Sequence, residues 1–272
     1  MEDGPPRGTM AEPDDPYARL GYRRLVSWPE RIRREAPLLR ETFGVAPNRR
    51  LLDLGTGTGE HALFLAELGF DVTGVDLSPA LIAAAREAAG GSGVTWIEGD
   101  LAEIGRLVAD GFGGALCLGN TLPHLAEPER LGRFLEGLAT RLAEEAVVLF
   151  QVLNYDRIFS KGIRSLPPNV RETEGETVVF LRLMEPRADG TVLFNPTTLR
   201  WRPGAEPPVE VAATRNVLLR GYRRSELEAA LGRAGFAVDG VFGGMAREAW
   251  AEDESPDTVV VARRGSARSR PT

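Results

Sequence analysis

From Pro47 onward the chain alternates short apolar runs with stretches whose apolar positions recur at helical spacing. LLDL (51–54) is an apolar strand, a glycine turn follows, and an amphipathic helix leads to a second strand, DVTGV, that ends in Asp76. VTWIEGD (94–100), GALCLGN (114–120), a helix near 128–143 and AVVLFQVLN (146–154) continue the pattern. Strand and helix in turn predict an α/β fold with a parallel sheet covered on both faces. The text then changes: 176–185, 190–201 and 208–220 are β-rich and separated by turn signals such as ADG and PGAEPP, as in an antiparallel insertion. A helix at 223–234, a strand at 235–242 and a last strand at 257–263 complete seven strands in a Rossmann-like main sheet.

Ahead of this, Tyr17 to Thr42 carries apolar residues at helical spacing, which predicts two short helices with Pro29 and Pro37 as breaks or first-turn residues. Residues 1–16 are acidic and proline-rich, as in a disordered lead, with Met10 as an alternative start, and RGSARSRPT is a polar tail over 264–272. One domain over 17–263, with its insertion at 176–220, is therefore expected. No repeat interrupts it.

Composition narrows the function. Thirty-three Lys+Arg against 39 Asp+Glu leave a formal charge of −6, so no overall cationic field attracts polyanions and nucleic acid is disfavoured as a partner. Arg23, Arg24, Arg31, Arg33 and Arg34 cluster locally, and a solvated helix face accounts for them. The single Cys117 has no disulfide partner, and with His61 and His124 as the only histidines no metal site is expected. No apolar run reaches the roughly 18 residues of a membrane span, and the amino terminus lacks a secretory pattern, so a cytoplasmic protein is expected.

Three alternating glycines, Gly55, Gly57 and Gly59, follow the first strand and are framed by Asp53. One glycine suffices for a plain strand-to-helix turn; three suggest a backbone that lets a ligand approach closely. Asp76, 21 residues after Gly55, ends the second strand where a carboxylate accepts hydrogen bonds from ribose hydroxyls. Asp100 ends the third strand at the same edge and could meet an adenine amine, though either acid alone would more often cap a helix. The spacing is G-x-G-x-G and not the G-x-G-x-x-G of dinucleotide sites, and a nearby carboxylate suits a cationic ligand better than a diphosphate. S-adenosylmethionine, with its sulfonium, ammonium and ribose, fits that description.

The text LLDLGTGTGEHALFLAELGFDVTGVDLSPALIAAAR, with WIEGDL, resembles the class I S-adenosylmethionine-dependent methyltransferases. More narrowly, LCLGNTLPHL (116–125) and FQVLNYDRI (150–158) are similar to segments of glycine N-methyltransferase-like enzymes and their bacterial relatives. The resemblance implies a seven-stranded methyltransferase sheet. It implies that Asp53, Gly55, Thr56, Gly57 and Gly59 shape the methionine site, that Asp76 and Leu77 take the ribose, that Asp100 and Leu101 flank the adenine, and that Leu118 and Gly119 lie under the methionine portion. It also implies that Arg31 clamps the cofactor carboxylate, as a planar guanidinium can. Where the glycine-specific enzymes carry an arginine before Asn-Tyr-Asp, this chain has Leu153, which disfavours glycine as substrate.

Methyl transfer from a sulfonium is an in-line displacement, so alignment and desolvation carry most of the catalysis. A protonated amine or a hydroxyl still needs a base. His124, with an ordinary pKa of about 6.5, is the candidate; a structural histidine is the commoner alternative. Asn120 could orient the acceptor or cap a turn, and Tyr155 could offer its hydroxyl or pack its ring inward. Tyr17 and Trp28 could form an aromatic lid, or anchor the first helix in the core. His61 reads as structural and Cys117 as a small buried hydrophobe. The expected function is methyl transfer to nitrogen or oxygen of a small molecule. A nicotinamide-dependent oxidoreductase and a non-catalytic cofactor-binding protein are the alternatives, and a homo-oligomer is left open, as is whether the insertion covers the acceptor or joins subunits.

Overall fold

The computed structural model describes residues 26–173 and 175–265, so the expected lead, Tyr17, Arg23, Arg24, the first of the two expected helices and residues 266–272 lie outside the described residues. Helix α1 (Trp28–Gly44) begins with Pro29 in its first turn, where a missing N–H is harmless. Pro37, expected as a break or a first-turn residue, lies inside this helix, which continues because Leu38, Leu39 and Phe43 beyond it are buried against the sheet. Tertiary packing outweighs the lost hydrogen bond.

The strands β1 (Arg50–Leu54), β2 (Asp71–Asp76), β3 (Thr95–Glu98), β4 (Phe112–Cys117) and β5 (Leu142–Leu153) are parallel neighbours. With β11 (Phe236–Phe242) and β12 (Asp257–Arg264) they form a seven-stranded sheet in the order β11-β12-β5-β4-β1-β2-β3. Only β12 runs antiparallel to its neighbours. Successive residues of β1 serve opposite faces, as strand periodicity requires. Leu51 joins Leu38, Leu39, Phe43 and Leu65 in one core, whereas Leu52 and Leu54 join Phe134, Leu138 and Phe150 in the other. The first core is covered by α1 and α2 (Glu60–Glu67), and the second by α5 (Pro128–Arg141) and α7 (Arg224–Arg233). Helix α3 (Pro79–Ala89) and the short α4 (Ile104–Leu107) fill the connections around β3.

After β5, α6 (Tyr155–Lys161) leads into a second sheet of five antiparallel strands: β6 (Ser165–Thr173), β7 (Glu176–Pro186), β8 (Thr191–Trp201), β9 (Val209–Thr214) and β10 (Val217–Arg220). The insertion thus starts at Ser165 and not at 176, because Pro167 and Pro168 mask β6 in the sequence. As an edge strand it tolerates both prolines, with a register shift between Leu166 and Asn169. Met184, Val192, Phe194 and Leu219 on its inner face enter the second core, so the insertion docks on the domain through apolar packing.

Phe134 is fully buried on α5, edge-on to Phe150 at 6.5 Å. Phe134→Ala is expected to lower the unfolding free energy by about 3–5 kcal/mol in urea titrations. A loss below about 1 kcal/mol would contradict the two-core packing.

Candidate functional site

The chain crosses from one side of the sheet to the other between β1 and β4, and ligands of open α/β sheets bind at the carboxyl ends of strands beside such a reversal. Gly55, Gly57 and Gly59 all have positive φ there, at 72°, 58° and 87°. A Cβ on Gly55 would run into the Thr121 side chain and one on Gly59 into the Trp96 ring, so both positions require glycine for backbone angle and for space. At Gly57 a Cβ would meet nothing within 4 Å, and the turn is open on that side.

Asp76, at the end of β2, accepts the Gly57 N–H at 2.8 Å and the Ser78 N–H at 3.0 Å. It therefore ties the turn to the neighbouring strand. Leu77 beside it is 67% exposed. Asp53 is buried at the end of β1 and accepts the Thr56 hydroxyl at 2.6 Å. Burial pushes its carboxyl up from the ordinary value, against the opposing pull of His61 and the Thr56 hydroxyl.

His61 belongs to the framework of this edge, as its sequence context suggests. Its Nε2 lies 2.7 Å from Glu35 Oε2, and Arg31 Nε donates to Glu35 Oε1 at 2.9 Å. Burial raises the Glu35 carboxyl, but the hydrogen bond from His61 and the charge of Arg31 outweigh it and hold the group below its usual range. Trp28 stacks edge-on to His61 at 5.5 Å and lies beneath the Arg31 guanidinium at 5.0 Å. Trp28 therefore both anchors α1 and stands next to the candidate clamp.

Beyond β4, Leu118 is buried and Gly119 donates its N–H to Gln151 Oε1 at 2.7 Å. Asn120 adopts a φ of 65°, strained for a residue with a side chain, and its Oδ1 accepts the Leu153 N–H at 3.0 Å. Its amide also meets the Tyr155 hydroxyl at 3.1 Å. Tyr155 is buried with its ring packed inward, and burial raises its phenol well above the ordinary value. Of the two roles weighed for Tyr155, the structure shows the inward packing, with the hydroxyl bonded to Asn120. His124 is exposed at the end of the short turn after β4, and desolvation by the protein around it lowers its imidazole to about 4.

Asp100 caps the turn that Leu101 opens, accepting the Ala102 N–H at 2.9 Å, and pairs with Arg130 at 2.6 Å. Its carboxylate is already engaged by protein. Cys117 is fully buried, and desolvation raises its thiol far from reactivity. Among the described residues no group of His, Cys, Asp and Glu could hold a metal ion, and no helix is long and apolar enough to cross a membrane.

Three members of this edge escaped the sequence reading. Gln151 interrupts the apolar run AVVLFQVLN, and that polar intrusion was the available signal. Asp257 opens β12, whose reversed direction brings its first residue to the carboxyl edge of the parallel strands. Burial raises its carboxyl to about 6, although Gln151 and Arg31 favour the charged form. Glu35, amid arginines on α1, carries no sequence signal of its burial.

Residues 51–145 match the protein family described as "Methyltransferase domain". The chain is 30% identical over 143 residues to a glycine/sarcosine N-methyltransferase of Aphanothece halophytica, covering 52% of this chain and 54% of that one. It spans about half the length of the curated relatives it matches. Among solved structures, an amino pentose methyltransferase of Micromonospora echinaspora with bound S-adenosylmethionine superposes at TM-score 0.69 with 24% identity, over 89% of this chain and 94% of that one. A sugar N-methyltransferase of Streptoalloteichus superposes at 0.67 with 22% identity, over 98% of both.

Because the Asp257 carboxyl sits above its unfolded value, it contributes stability when protonated, and that contribution is lost as pH rises through about 6. Asp257→Asn lacks this titration. Its melting temperature relative to the parent is expected to rise between pH 4 and pH 7 in parallel calorimetric scans; a constant difference would contradict the burial of Asp257.

Proposed function

We propose that the reaction is S-adenosylmethionine-dependent methyl transfer to nitrogen or oxygen of a small molecule, a reading supported by the match of residues 51–145 to a methyltransferase domain and by the strand order. The observation that carries this reading is the open glycine turn pinned to Asp76 at the sheet reversal. When bound, S-adenosylmethionine supplies an activated methyl group on a sulfonium.

The chain's own residues fit that cofactor. Asp76 and Leu77 offer a carboxylate and an apolar surface to a nucleoside, while Gly119 and Leu118 wall the opposite side of the turn. Leu101 is buried behind Asp100, which keeps the adenine end of the edge apolar. Arg31, held by Glu35 and Trp28, presents a guanidinium suited to a carboxylate.

For the acceptor, Asn120 and Tyr155 form a mutually hydrogen-bonded pair beside the β4 end, in which the buried, protonated Tyr155 positions the Asn120 amide. A neutral His124 after β4 would accept a hydrogen bond from an amine or hydroxyl, and its lowered pKa suits orientation better than proton storage. Nitrogen is the favoured acceptor atom, supported by relatives described as glycine/sarcosine, amino pentose and sugar N-methyltransferases. Glycine itself is disfavoured: Leu153 offers no cation to its carboxylate.

Two measurements test this reading. In calorimetric titrations S-adenosylhomocysteine is expected to bind, and Asp76→Ala to weaken it more than about tenfold with the fold intact, since hydrogen bonds to an ionised group are lost. Unchanged affinity would remove Asp76 from the ribose site, and tight NAD binding without S-adenosylhomocysteine binding would replace the reading by an oxidoreductase. In a screen of amines, acids and phenols for S-adenosylhomocysteine release, glycine at millimolar concentration is expected to give none; efficient sarcosine production would overturn the assignment to Leu153.

A further inference from the structure

The inserted sheet has two apolar faces and the domain covers one. Directly paired residues of an antiparallel sheet point to the same side. Val170 of β6, Val179 of β7, Leu199 of β8 and Val211 of β9 are paired in one continuous row across four strands. The neighbouring row carries Trp201 paired to Val209, and at the far end Leu193 is paired to Leu218. Leu181 and Leu183 lie on the same side of β7 as Val179, two and four residues along.

This is the side opposite Met184, Val192, Phe194 and Leu219, which enter the core. Six of the nine large hydrophobics exposed on the described molecule belong to it, from Leu183 at 43% to Val211 at 61%. A single exposed leucine needs no explanation, but a contiguous apolar sheet face does.

We infer that a second copy of this chain covers that face, in a two-fold dimer that packs inserted sheet against inserted sheet. Size supports the pairing. Four strand positions about 4.8 Å apart and strands of 11 residues give a face of about 700 Å² a side, near the roughly 800 Å² that each partner of a stable complex buries. Chemistry supports it too. The polar positions of the face are mainly Thr177, Asn195, Thr197 and Thr214, and its acids, Glu172 and Glu185, lie in its end rows. An uncharged centre lets identical surfaces meet without opposing like charges, and that composition is typical of permanent homodimers more than of transient partners.

Sedimentation equilibrium of the full chain tests this. The parent is expected at twice the 29.5 kDa chain mass at tens of micromolar. The double variant Val170→Glu and Val211→Glu, at half-exposed positions outside the cores, is expected to sediment at the single-chain mass, with the parent's far-ultraviolet circular dichroism and S-adenosylhomocysteine affinity. A parent at the single-chain mass, or a double variant that stays dimeric, would overturn the inference. So would a monomer whose β8 and β9 amides resist hydrogen exchange, which would assign the cover to another part of the chain.

Discussion

The turn after β1 is held to the neighbouring strand by a carboxylate that accepts its backbone N–H. Asp76 receives Gly57 and Ser78 together, so the end of β2, the glycine turn and the start of α3 form one rigid unit. The surrounding side chains enforce the same geometry. Thr121 fills the space above Gly55 and Trp96 the space above Gly59, which leaves Gly57 as the position open to a ligand. A preorganised backbone of this kind binds without first ordering a loop, and that saving goes into affinity.

A second layer of buried charge holds α1 against this unit. His61 pairs with Glu35 from α1 and also draws on the Asp53 carboxylate of β1. Removing one member of such a group leaves a buried charge uncompensated, so the helix that carries Arg31 and Trp28 cannot drift from the turn without a large penalty. Gln151 and Asp257 perform the corresponding task across the sheet, linking the Gly119 N–H through β5 to the first residue of β12. Positions far apart in sequence thus converge on one edge. The inserted sheet stands apart from this edge as a platform joined to the second core.

What was legible in the sequence follows from locality. Parallel strands buried on both faces announce themselves as apolar runs, and the alternation with helices showed the seven-stranded sheet. The glycine spacing and Asp76 were readable because their roles depend on backbone positions near them in the chain. β6 was hidden because two prolines suppress a strand signal that its edge position permits. Pro37 misled for the mirror reason: burial of Leu38, Leu39 and Phe43 overrides a local breaker. Glu35, Gln151 and Asp257 acquire meaning only from partners 26 to 106 residues away, and no local pattern encodes that.

In the proposed function, the turn of Gly55, Gly57 and Gly59 beside Asp76 is a nucleoside site. A crystal structure of the chain grown with S-adenosylhomocysteine tests it most directly. The ligand's ribose is expected on the Asp76 carboxylate, with its amino-acid portion between Gly57 and Gly119. Ligand density elsewhere, or a turn whose opening is filled by protein side chains, would contradict it.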